Sequence, residues 1–293
     1  MFAPQQETIR EALFRASRFF ESRGIRSAQF NAETLLQHVL HIDRTQMLVR
    51  FAEPFPPDRS NLFAELVQRR GEQVPLQHLT GVQEFYGRPY RVSEAVLIPR
   101  PETELLIERV LQEREAFAES PLIVDIGTGS GAIAVTLALE WPDARVIAVD
   151  ISEAALAVAR RNAADLGAER VEFLQGDLVA PILERGLRPD LIVSNPPYIP
   201  TTDCADLDVE VRDHEPRLAL DGGEDGLNPY RAICRELPKL LPVSGPAFVA
   251  FEVGIHQDRM VEQMIRDSLS QCHTGIVPDW QGIGRVIWGK RGG

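Results

Sequence analysis

The 293-residue sequence predicts an α/β fold: a mostly parallel sheet with helices on both faces, preceded by a small all-α N-terminal bundle and a β-hairpin connector. Three observations carry this. From residue 121 onward, short apolar runs alternate with helix-length segments, the rhythm of a parallel sheet covered on both faces. Four of those runs end in polar or glycine punctuation, at Asp125-Ile126-Gly127, Asp150, Asp177 and Asn195. Residues 1 to about 75 instead repeat apolar positions at helical spacing and carry no strand pattern. The length sets a prior of about two domains. The boundaries read as 1–75 for the helical domain, 76–98 for the connector and 99–293 for the sheet domain.

Each element has its own signal. Ile9, Leu13, Ala16 and Phe20 lie on one helical face, and Gly24 is placed to stop that helix. Ser27 is positioned to cap a second helix carrying Leu35, Leu36, Val39 and Leu40. A third apolar group, Leu62, Phe63, Leu66 and Val67, follows Pro56-Pro57-Asp58 and ends near Gly71. In the connector, Phe85-Tyr86-Gly87-Arg88-Pro89-Tyr90 places aromatic residues on either side of a turn signal, which predicts a hairpin. A helix follows Leu97-Ile98-Pro99-Arg100-Pro101-Glu102, with Leu105, Leu106, Val110 and Leu111 on one face. Strands are predicted at 122–126, 145–149, 171–174, 191–194 and 247–253, and near 274–278 and 284–288. Between them helices run to about Glu140, from the Ser152 cap to Gly167, around 230–241 and over 257–268.

Composition narrows the class. Hydrophobic content of 44% with 25% charged residues is that of an ordinary globular protein. No apolar run approaches the roughly 20 residues of a membrane span. Residues 1–11 carry early acidic side chains and no apolar core of a secretory signal, so a cytoplasmic protein without membrane attachment is expected. Cys204, Cys234 and Cys272 are odd in number and scattered, which reads as reduced thiols. The six histidines form no ligand-spaced cluster, so no metal is expected. The formal charge of −12 is uneven. Residues 1–100 hold 13 Lys/Arg and 11 Asp/Glu, against 18 and 32 in the rest. A chain that grips a long phosphate backbone normally shows a basic face, so no direct nucleic-acid binding is expected.

The chemistry concentrates at strand ends. After Ile192-Val193-Ser194 the chain turns through Asn195-Pro196-Pro197-Tyr198. Two successive prolines stop the ladder and fix φ, which holds the Asn195 amide, the neighbouring carbonyls and the Tyr198 ring at a set spacing. Those parts suit a flat, conjugated NH2 group. The Asn195 side-chain oxygen and a proline carbonyl can accept its two hydrogens and free the nitrogen lone pair, while Tyr198 stacks on the flat face. A primary carboxamide and the exocyclic amine of adenine both fit this grip.

At the first strand end, Gly127-Thr128-Gly129-Ser130-Gly131 opens a helix whose first N–H groups are free to meet a ligand. Asp150, 19 residues beyond Gly131, is placed to accept from two ribose hydroxyls. Asp177 and the Leu178 backbone are placed to flank an adenine ring. The glycine loop with Ala132 in third place also satisfies a dinucleotide fingerprint, so a nicotinamide enzyme stays in play on this loop alone. Hydride transfer has no use for an amide-gripping Asn-Pro-Pro-Tyr, whereas methyl transfer to nitrogen does. The combination favours S-adenosylmethionine.

Taken together, Val124-Asp125-Ile126-Gly127-Thr128-Gly129-Ser130-Gly131, Ala148-Val149-Asp150 and the Asn195 motif resemble a class I methyltransferase, a Rossmann-like fold. Pro75-Leu76-Gln77-His78-Leu79-Thr80-Gly81 and Arg100-Pro101-Glu102-Thr103-Glu104, with the helical N-terminal domain, narrow the resemblance to the release factor glutamine methyltransferases, the HemK/PrmC family. That resemblance implies methylation of the glutamine side-chain amide in the Gly-Gly-Gln motif of peptide chain release factors, a step that bears on translation termination. Carried over by position, Gly127, Thr128, Gly129, Ser130 and Gly131 cradle the cofactor, Asp150 binds its ribose, and Asp177 with Leu178 lies beside the adenine. Asn195, Pro196, Pro197 and Tyr198 hold the glutamine, with Asn195, Pro196 and Tyr198 as the catalytic group and Asn195 also near the cofactor. S-adenosylhomocysteine is the expected product, a monomer the expected state, and the helical domain the expected contact with the protein substrate. The alternative is a nucleic-acid adenine-N6 methyltransferase using the same motif. The role of residues 100–104 does not follow from the sequence beyond a proline-started, acid-rich helix start.

Overall fold

The computed structural model describes residues 7–117 and 120–292, so residues 1–6, part of the stretch read for a secretory signal, lie outside the described residues. The chain forms two compact units, one built from the chain up to Gly81 together with Val209–His214, the other from Val82–Asp208 and Glu215–Gly293. The short helix at 76–80 thus falls in the helical unit and the hairpin in the sheet unit.

The helical unit contains helices Ile9–Ser22, Ala28–Leu40, Arg44–Val49, Pro57–Gly71 and Leu76–Thr80, and the short Val209–Arg212. Thr8 and Glu11 close a reciprocal capping box at the first helix. Asp43 and Gln46 do the same for Arg44–Val49, a helix absent from the sequence reading. Ser27 precedes the second helix with a left-handed φ of 51°, and its side chain makes no cap hydrogen bond. Asn31 Nδ2 reaches back to the Ser27 carbonyl at 3.1 Å instead. Leu13, Phe20, Leu35, Leu36, Met47 and Phe63 form the core, while Leu62 points outward. Arg70 is buried within this unit. Its Nε donates to Asn31 Oδ1 at 2.7 Å, Nη1 to the Val74 carbonyl at 3.0 Å, and Nη2 to Glu210.

The sheet unit opens with the hairpin β1 (Val82–Phe85) and β2 (Arg88–Arg91), turning at Tyr86 and Gly87, both at positive φ. Phe85 and Tyr90 are buried in the main core, and the Tyr90 hydroxyl meets Thr136 Oγ1 at 2.7 Å. The large sheet comprises β3 (Leu122–Ile126), β4 (Arg145–Asp150), β5 (Glu172–Gln175), β6 (Leu191–Ser194), β7 (Ala247–Glu252), β8 (Cys272–Pro278) and β9 (Gly284–Arg291). Its spatial order is β5-β4-β3-β6-β7-β9-β8. The first five strands run parallel, and β9 pairs antiparallel with both β7 and β8.

Side chains alternate across the central strands. Val146 and Ala148 join a core with the helices Thr103–Leu111 and Ala132–Glu140. Ile147 and Val149 join another with the helices Asn228–Leu240 and Asp258–Ser268. Burial on both faces explains the unbroken apolar strands. The chain moves from β3 outward to β5 and then returns to place β6 on the other side of β3. This reversal opens the crevice where ligands sit in such sheets. The Ser194 hydroxyl donates to the Ile126 carbonyl at 2.6 Å and pins the two strand ends together there.

Candidate active site

A cavity of about 390 Å3 lies at these strand ends, within the usual range for a small-molecule site. Gly127, Thr128, Gly129 and Ser130 line it after β3, Asp150 at the end of β4, Asp177 and Leu178 after β5, and Asn195 and Pro197 after β6. Gly131, Pro196 and Tyr198 are not in its lining. Gly131 sits at φ 81°, and a Cβ there would come within 3.0 Å of Ala159 Cβ, so it lets two helices approach behind the loop. The Tyr198 ring packs toward the core beside Gly254, and burial pushes its hydroxyl up to about 12.

The glycine loop owes its shape to backbone freedom. Gly127 and Gly129 stand at φ 73° and 55°, and a Cβ added to either would meet no protein atom within 4 Å. That open space is the cradle a cofactor needs. Thr128 Oγ1 donates to Asp125 Oδ2 at 2.6 Å under the loop, where burial pushes the Asp125 carboxyl up to about 7. Asp150 ties the loop from outside: Oδ2 accepts from Gly129 N at 2.8 Å and Oδ1 from Ser152 N at 2.9 Å. Each oxygen keeps a further lone pair for a diol. Leu178 holds a φ of 45°, uncommon for a side-chain-bearing residue and typical of a binding loop.

Asn195 leaves β6 with its Nδ2 donating to Thr103 Oγ1 at 3.2 Å. Among the described residues nothing donates to Asn195 Oδ1 or to the Pro196 carbonyl, so both acceptors are available. The Tyr198 carbonyl is instead taken by Gln257 Nε2 at 2.9 Å.

The structure gives residues 100–104 partners that the sequence did not reveal. Arg100 Nη2 donates to both oxygens of buried Glu215 at 2.7 and 2.8 Å, anchoring the loop that brings Pro216, Leu218 and Ala219 to the cavity. Thr103 Oγ1 donates to Glu252 Oε2 at 2.6 Å. Glu104 Oε1 accepts from Tyr86 N at 2.8 Å and fastens the hairpin.

A second set of residues also escaped the sequence reading: Asp221, Gly222, Gly226 and Gln257. An added Cβ at Gly222 would lie 2.7 Å from the Pro197 carbonyl, and one at Gly226 2.2 Å from that of Tyr198. These glycines let a loop lie directly against the proline turn. Asp221 lines the cavity, and its carboxyl is held below the usual range by the Thr201 hydroxyl, the Gly223 N–H and Arg217. The one available signal was the glycine-and-acid cluster Asp221-Gly222-Gly223-Glu224-Asp225-Gly226, which the sequence reading passed over. Among the described residues there is no His, Cys, Asp or Glu group able to hold a metal, and no helix long and apolar enough to cross a membrane.

Residues 11–81 match the family described as the PrmC N-terminal domain, and residues 101–209 that described as the methyltransferase small domain. The release factor glutamine methyltransferase of Bacillus cereus is 42% identical, with 96% of this chain and 99% of that protein aligned. The protein of the same name from Moorella thermoacetica is 44% identical, with 97% and 99% aligned. A methyltransferase from Pyrococcus furiosus superimposes with a TM-score of 0.51 at 16% identity, covering 80% of this chain and 99% of its own, a likeness of fold alone. None of these matches favours the nucleic-acid adenine alternative.

Proposed function

This chain belongs to the release factor glutamine methyltransferases, and we propose that its acceptor is the glutamine of the Gly-Gly-Gln motif in peptide chain release factors and its donor S-adenosylmethionine. It is a protein-glutamine methyltransferase. One observation supports the reading above the rest: Asn195, the open glycine cradle and Asp150 face a single cavity.

When bound, S-adenosylmethionine supplies an electrophilic methyl group on a cationic sulfur. The residues Gly127 to Ser130 would hold that ligand in the open space left by the missing side chains of Gly127 and Gly129, with Gly131 supporting the loop from behind. Asp150 accepts from the ribose hydroxyls with the lone pairs left over from Gly129 and Ser152, and Asp177 with Leu178 flanks the adenine. On the opposite wall, Asn195 Oδ1 accepts one hydrogen of the glutamine NH2, and the carbonyl of Pro196, next in the chain though outside the cavity lining, accepts the other. Two acceptors on one amide nitrogen localise its lone pair and turn a poor nucleophile into a usable one. Pro196 and Pro197 stiffen the turn that spaces the acceptors, and Tyr198 braces it from the core side. Transfer would replace one N–H of the amide by N–CH3 as the donor's S–CH3 bond breaks, leaving S-adenosylhomocysteine, with the proton released to water. Orientation and preorganised acceptors do most of the work, since no covalent intermediate is needed.

The helical unit is the docking surface for the release factor in this reading. It exposes the apolar side chains of Phe14, Phe30, Leu48 and Val49, which a protein partner would cover. The enzyme acts as a cytoplasmic monomer without nucleic acid or membrane. Incubation with S-adenosylmethionine carrying a labelled methyl group, and with release factor, DNA or RNA as acceptor, tests the assignment. Label is expected only in release factor, and only while the Gly-Gly-Gln glutamine is present. Label in nucleic acid alone would overturn it.

A further inference from the structure

A carboxamide has two ends of nearly equal shape and opposite hydrogen-bonding sense. If the Asn195 side chain turned over, it would present two N–H donors to a substrate NH2 and repel it. Something must hold the oxygen toward the cavity.

We propose that Thr103 and Glu252 are positioning residues that set the direction of the Asn195 amide, a proposal that rests on the reading of Asn195 as the acceptor for the glutamine NH2. A threonine hydroxyl has one proton. Thr103 commits it to Glu252 Oε2 at 2.6 Å, so its oxygen can only accept from Asn195, and the end of the amide it selects is Nδ2, at 3.2 Å. The relay joins three elements. Thr103 opens the helix Thr103–Leu111, with its N–H on the Arg100 carbonyl at 3.1 Å. Glu252 ends β7, and its backbone carbonyl accepts from the Tyr230 hydroxyl at 2.7 Å. Asn195 follows β6, the neighbour of β7.

The Glu252 side chain is costly where it stands. It is 3% exposed, and its one side-chain hydrogen bond among the described residues is that to Thr103. A carboxylate buried with so little support contributes little to folding, which fits a part retained for the site. The charged and titratable groups facing it are Glu102 and Arg100 from the segment before the helix, Arg285 from β9, Tyr198 after β6 and Tyr230 from the helix Asn228–Leu240. Burial outweighs the two arginines and pushes the Glu252 carboxyl up to about 7. Below that pH Glu252 is protonated and donates to Thr103. The threonine proton then turns to Asn195 and favours the reversed amide.

The test uses the full chain with release factor and S-adenosylmethionine. Thr103→Val removes the hydroxyl at constant shape, and Thr103→Ser restores it. In Thr103→Val, kcat is expected to fall about tenfold or more, the order of one lost hydrogen bond, with the release-factor KM and cofactor Kd little changed, while Tm falls because buried Glu252 loses its partner. Thr103→Ser is expected to recover most of that loss. Glu252→Gln keeps an acceptor for Thr103 without the titration, so it is expected to flatten the fall of kcat below pH about 7. The proposal is overturned by an unchanged kcat in Thr103→Val, by an equal loss of cofactor affinity there, by no recovery in Thr103→Ser, or by an unaltered pH profile in Glu252→Gln. Asn195→Ala separates the two levels. A normal kcat there removes the reading of Asn195 itself, whereas a low kcat beside an unaffected Thr103→Val removes only the relay.

Discussion

The two walls of the cavity are built on different principles. The wall after β3 and β4 is local: three glycines within five residues bend the backbone, and Asp150 ties the bend at Gly129 and Ser152. The wall after β6 is assembled from a distance. Asn195 takes its partner Thr103 from 92 residues away, and Thr103 takes Glu252 from 149 residues away. A loop built mainly from backbone tolerates change outside its glycines. A side-chain clamp depends on every member of the set, and that difference predicts which measurement each substitution moves.

The largest effect is expected at the distant wall. Asn195→Ala should lower kcat by about 10²- to 10³-fold, the scale of removing one preorganised polar group from an active site, while cofactor affinity stays near normal. Equal losses in both would erase the distinction between the walls. Next comes the local wall, where Asp150→Ala should weaken S-adenosylmethionine binding by roughly 10- to 100-fold, as expected for lost hydrogen bonds to a charged acceptor. Its kcat at saturating cofactor should change far less, and an unchanged Kd would remove the ribose role.

The smallest effect concerns the carboxyl beneath the glycine loop. Asp125 is raised by burial from the ordinary carboxylate range to about 7 in the folded protein. Between the two values the native state holds a proton that the unfolded chain has lost. Stability therefore declines as pH rises from about 4 to about 7 and levels off above. Asp125→Asn should flatten that decline in a series of Tm measurements, and an unchanged slope would show that Asp125 does not cause it.

The same contrast explains what the sequence disclosed. Strands 122–126 and 191–194 were legible because burial on both faces leaves unbroken apolar runs closed by polar residues. The hairpin was legible from Tyr86-Gly87, and the cofactor loop from glycines close together in the chain. The helix Arg44–Val49 went unread although Asp43 and Gln46 write a capping box, because six residues are too few for a helical period to emerge. Ser27 has the composition of a cap and not the backbone for one: its φ is left-handed where a cap is extended, and its hydroxyl makes no cap hydrogen bond. The family mark at residues 100–104 was visible as a motif and silent about purpose. Arg100, Thr103 and Glu104 each spend their polar groups on partners that only the folded sheet brings near. Gly222 and Gly226 were opaque for a related reason: what excludes a side chain there is the carbonyl of another loop.

The helical unit has a seam in its covalent order. Val209–His214 returns to it from well downstream, and the Glu210 carboxylate faces the interior guanidinium of Arg70. A fragment cut after Gly81 would retain that buried cation and lose its partly exposed anion, and a buried cation is costly to leave without its anion. Its complement would keep a short helix with nothing to rest on. Biochemists dissecting this enzyme should therefore graft the downstream hexapeptide onto the fragment, or leave the polypeptide whole and work by point substitution.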